Sequence, residues 1–97
     1  MAAAAALAHV VEGNYEQAAL CAKKALAQNP RFAIALRLLG ASLAKMGALD
    51  QAAETMKKML EIEPQLTVSK LRARLTFVPQ DIWTNLADGL RLAGLPE

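Results

Sequence analysis

The chain has 97 residues, 55% of them hydrophobic but only 4% aromatic, and eleven Lys and Arg against nine Asp and Glu give a net charge of +2. That balance lacks the basic stripe that nucleic acid demands, and no apolar run approaches the roughly 18 residues needed to cross a bilayer, which excludes nucleic acid and membrane partners. Strand-favouring residues never fall in alternation, and a single cysteine, Cys21, cannot close an internal disulfide, so one small all-α domain of the reducing cytoplasm is expected.

The opening stretch Met1–Val11 is apolar but has no basic leader and runs straight into a helix-turn pattern. It is read as a helix over about 2–12 and not as a secretory signal. Gly13 and Asn14 then separate it from a second helix over about 14–28, which Pro30 closes off. A third helix is expected over about 31–46, where Ile34, Leu36, Leu38, Leu39 and Leu43 form an apolar stripe at helical spacing. Gly47 can take the left-handed conformation that ends it, and Asp50 stands where a short polar side chain can cap the next start. The fourth helix, about 49–62, turns Ala52, Ala53, Met56, Met59, Leu60 and Ile62 inward and Glu54, Lys57, Lys58 and Glu61 to solvent. Beyond Pro64, Thr67 can cap a short helix to about Leu75, and Pro79 with Asp81 can open a last helix to about Leu92, stopped by Gly94 and Pro96. Ile82, Leu86, Leu90 and Ala93 make its apolar face.

The second and fourth helices are copies. Residues 12–30 lie over 46–64 without a gap, so that Gly13 meets Gly47, Gln17 meets Gln51, Ala18-Ala19 meet Ala52-Ala53 and Lys23-Lys24 meet Lys57-Lys58. Leu26 meets Leu60 and Pro30 meets Pro64, every pair standing at the same interval as Gly13 and Gly47. A fixed period, here of about 34 residues, marks a repeat of one supersecondary unit: helix, tight turn, helix, proline. Small Ala18 and Ala52 let the paired helices approach closely.

In the second unit Leu36, Leu39-Gly40, Leu43, Ala52, Met56, Met59 and Pro64 fall at the spacing of the tetratricopeptide repeat, which the chain resembles over roughly residues 2–64. Met59 departs from the family's usual alanine; the first unit matches through Ala18, Ala25 and Pro30, with His9 where a bulky residue is usual. The resemblance implies antiparallel helix-turn-helix repeats in a right-handed superhelix: residues 1–30 as a first repeat whose start is cut short, 31–64 as a second, and 65–97 as a capping helical pair, about six helices in all. The tail, through residues 66–75 and 89–97, is also similar to the C-terminal ends of bacterial proteins in which such repeats follow a class III adenylate or guanylate cyclase or a regulatory DNA-binding domain.

No chemistry stands out. His9 is the only histidine and Cys21 the only thiol, so neither a metal site nor a nucleophile–base pair can be assembled; both are read as packing residues. Asp81, Asp88, Glu61 and Glu63 show no distinctive pairing, and Trp83 is read as a cap or interface residue. No cofactor, metal or catalytic residue is expected, and any enzymatic activity is assigned to a preceding domain.

What the resemblance implies instead is a protein or peptide partner lying on the concave face lined by the first helix of each unit. By their places in the motif, Leu7 and Val10 of the first unit and Ile34, Arg37, Leu38, Ala41 and Lys45 of the second would meet it. Arg37 and Lys45 favour an acidic partner. Leu38 and Ala41 stand where the family's carboxylate clamps have asparagine, which argues against that mode. Self-association as the regulatory tail of a larger protein, giving a homo-oligomer, is the alternative expectation.

Overall fold

The computed structural model describes residues 8–76 and 78–97, all of whose regular structure is helical. Residues 8–11 are helical and five helices follow: α1 (Tyr15–Gln28), α2 (Ala33–Lys45), α3 (Leu49–Ile62), α4 (Val68–Arg74) and α5 (Gln80–Ala93). These bounds lie within one or two residues of those read from the sequence. The expected helix over 2–12 is described only from residue 8; its beginning, with Leu7, and Phe77 lie outside the described residues.

The same helix ending occurs three times. Gly13, Gly47 and Gly94 have φ of +76°, +84° and +109°, conformations that only glycine adopts without strain. In each case the glycine amide donates three residues back and the next amide five residues back: Gly47 N to Ala44 O (3.1 Å) and Ala48 N to Leu43 O (2.9 Å), Gly94 N to Arg91 O (3.0 Å) and Leu95 N to Leu90 O (3.0 Å). This pair of bonds satisfies carbonyls that the helix end would leave bare.

Helix starts are less uniform. Asn14 Oδ1 accepts from Gln17 N (3.4 Å) and Thr67 Oγ1 from Lys70 N (3.2 Å), as expected of caps. The expected cap at Asp50 is not formed: Ala48 occupies the cap position of α3, and Asp50 sits inside the first turn, where its charge faces the positive end of the helix dipole.

Helix α2 is the centre of the molecule and packs against α1, α3 and α5. Ala35, Leu36 and the unbroken run Leu38–Ala44 are buried, so this helix is surrounded on nearly all sides. Ile34 is the exception to its predicted stripe, 46% exposed at the helix start. Close approach on both sides depends on small residues. Ala18, Ala22, Ala35 and Ala52 have no exposed surface, and Met56 and Met59 fill the remaining space at 1% and 0% exposure. Gly40 leaves room for the end of Met56: a β-carbon there would lie 3.2 Å from Met56 Cε.

Helix α5 buries Trp83, Leu86, Ala87, Gly89, Leu90 and Ala93; of the four residues expected on this face Ile82 is only half-buried, and Trp83 is buried beside it. It lies on α2 at backbone distance, since a β-carbon on Gly89 would stand 2.8 Å from Ala41 O. Asp81, Thr84, Asn85, Asp88 and Arg91 point to solvent, so the last layer turns a mostly polar side outward. The chain then returns to α4, where Val68 N donates to Pro96 O (2.8 Å).

Candidate partner-binding surface

Of the residues expected to meet a partner, Val10, Leu38 and Ala41 are buried at 4%, 5% and 2% exposure. Ala41 is covered by the chain itself, through Gly89 of α5. Ile34 is open, Lys45 is half-buried, and Leu7 lies outside the described residues.

Arg37 is occupied. Its guanidinium Nη1 lies 3.4 Å from Glu63 Oε1, with only 13% of the side chain exposed. Burial pulls its pKa below the ordinary arginine value, Glu63 pushes it back up, and the neighbouring charge of Arg74 lowers it. Arg74 Nη1 reaches the other oxygen of the same carboxylate at 2.8 Å. Glu63 thus ties the end of α3 to both α2 and α4, and two cations share one anion. The acid that the sequence suggested for a partner is supplied, for Arg37, from within the chain.

Arg72 organises the turn between α4 and α5. Its Nη1 donates to Leu75 O (3.2 Å) and Val78 O (2.9 Å), and its Nη2 donates to Gln80 Oε1 (3.3 Å). The guanidinium carbon stands 5.3 Å from the centroid of the Trp83 ring. Trp83, read from the sequence as a cap or interface residue, is instead core at 6% exposure. His9 and Cys21 are half-buried. His9 Nδ1 and Ser42 Oγ are buried without a hydrogen-bond partner among the described residues. No group of three or more His, Cys, Asp and Glu among the described residues is placed to hold a metal, and no described helix is long and apolar enough to cross a membrane.

The family model described as tetratricopeptide repeat matches residues 9–75, well over half of the chain. The chain belongs to the tetratricopeptide repeat family. Comparison with curated proteins and with solved structures finds no match. Tetratricopeptide repeats generally mediate protein–protein interaction and are typically not catalytic.

The family match ends before α5, and that helix holds a signal which a comparison at the repeat period passes over. Trp83, Leu86, Ala87 and Leu90 repeat the spacing of Leu36, Leu39, Gly40 and Leu43, and Gly94 follows them as Gly47 follows the earlier set. The displacement is longer than the repeat period, because the short α4 and its turn intervene. All four positions are buried in both helices. The last helix of this tetratricopeptide module therefore carries the signature of a repeat's first helix, and it spends that apolar face inside the module. The described residues span 28 × 28 × 25 Å, nearly equal in every direction.

Proposed function

We propose that this module is a non-catalytic adaptor that holds a segment of a partner polypeptide at the open edge of α2 around Ile34. One observation carries the reading: Ile34 stays 46% exposed on a helix whose other large apolar side chains are core. Lys45 lies on the same stripe three turns on, but Leu38 and Ala41 between them are buried, Ala41 under Gly89 of α5, so the open surface ends near Ile34. Val10, Leu38 and Ala41 are buried within the module, and Arg37 is held by Glu63. The surface is short, which fits modest affinity.

The test places a photo-crosslinking amino acid at position 34 and, in a second protein, at position 57 on the outer face of α3. The same polypeptide should be captured from 34 and not from 57. Identical capture from both positions would remove this edge as the binding surface. Arg37→Glu is a poor probe, because it faces the half-buried Glu63 with a second carboxylate.

A further inference from the structure

Helices α1 and α3 can be compared position by position, because they are the second helices of successive repeat units. The outward face of α3 carries Glu54, Lys57, Lys58 and Glu61, all exposed. Glu54 stands one turn from Lys58 and Lys57 one turn from Glu61, so this face carries no net charge. The same four positions on α1 hold Leu20, Lys23, Lys24 and Ala27, also all exposed. Both glutamates are replaced by apolar residues, and a neutral set of four becomes a set of charge +2. Leu20 is 46% exposed. The ion pairs among the described residues involve neither Lys23 and Lys24 nor the four charges of the α3 face, so the two faces differ in net charge and in Leu20 and Ala27. The only acid on α1, Glu16, is two turns from Lys23.

We propose that this face of α1 docks an acidic amphipathic segment of a partner protein. An apolar side chain of that segment covers Leu20 and Ala27, and carboxylates one turn to either side meet Lys23 and Lys24. A nucleic-acid backbone offers nothing to cover Leu20. Anionic lipid is read by clusters of about four to eight Lys or Arg, and this face has two. The surface is separate from the edge of α2, so either reading can fail alone.

The experiment uses the whole chain and a fluorescein-labelled helical peptide built from Glu and Leu, with Leu on one stripe and Glu flanking it, followed by fluorescence anisotropy. Leu20→Glu with Ala27→Glu, which installs the pattern of α3, should lower affinity by about tenfold or more and leave the melting temperature nearly unchanged, because both sites are exposed. Lys57→Gln with Lys58→Gln should change affinity less than about twofold, and raised salt should weaken binding. The proposal is overturned if the peptide does not bind, or if the Lys57 and Lys58 pair matters as much as the α1 pair. Equal binding of a Lys–Leu peptide or of phosphatidylserine vesicles overturns it too. So does a molar mass that rises with concentration and falls back on the α1 substitutions, since a second copy would then cover the face.

Discussion

Gly89→Ala tests the contact on which the shape of the molecule depends. The added methyl would stand 2.8 Å from Ala41 O, 3.1 Å from Ala41 Cβ and 3.2 Å from Ala41 Cα. Two of these are backbone atoms of a buried helix, so none can swing aside, and α5 must move off α2 by about half an ångström to restore ordinary contact. Overpacking of this kind costs about 1–3 kcal/mol, and the rigid neighbours place it in the upper half of that range. Against it stands the gain of about 1 kcal/mol from replacing glycine by alanine inside a helix. The net loss is about 1–2 kcal/mol, a fall in Tm of roughly 5–15 °C for a chain of this size. Gly40→Ala is the control: it gains the same helix propensity but meets Met56 Cε at 3.2 Å, the mobile end of a flexible side chain. It should be nearly neutral. Thermal unfolding followed by circular dichroism at 222 nm reads both. A Gly89→Ala protein that melts at or above the wild type would show that α2 and α5 do not touch through their backbones.

Two other substitutions read the interior. Arg72→Lys keeps the charge but loses the fork that holds Leu75 O and Val78 O through Nη1 and Gln80 Oε1 through Nη2 at once, and should cost about 2 kcal/mol in urea unfolding. The emission of Trp83, the only tryptophan, should shift to the red as its cover loosens; an unchanged spectrum would remove Arg72 from that role. Ser42→Ala removes a fully buried hydroxyl that has no partner among the described residues and improves helix propensity, so it should stabilise by about 1 kcal/mol, and a lower Tm would mean that the hydroxyl is bonded after all.

The helices were legible because each boundary has a local cause. Gly13, Gly47 and Gly94 stop helices through backbone geometry, and Asn14 and Thr67 start them through their own side chains. Asp50 was misread because a polar residue near a helix start is equally at home inside the first turn, and sequence alone does not separate a cap from a dipole contact. Which surface of a helix is covered depends on distant partners. Ala41 and Leu38 have the right places for a concave face, yet only the tertiary arrangement shows Gly89 resting on Ala41. Arg37 has the residue type of a partner contact, and its acid comes from Glu63 at the far end of the next helix. Ile34 reads as part of an apolar stripe, but it precedes the buried stretch of α2 and stays in solvent.

The return of α5 onto α2 also changes how the molecule should unfold. In an open array each unit touches only its neighbours, so stability is local and the ends fray while the middle holds. Here the last helix is fastened to the central one through the Ala41–Gly89 contact, which bridges nearly half of the chain. Loss of either removes the support of the other, which couples the last helix and the middle of the array into one cooperative transition. The loop that must close before this contact forms makes folding slower than for a hairpin stack of the same length. The second unit and the helices that cap it thereby gain and lose their structure together.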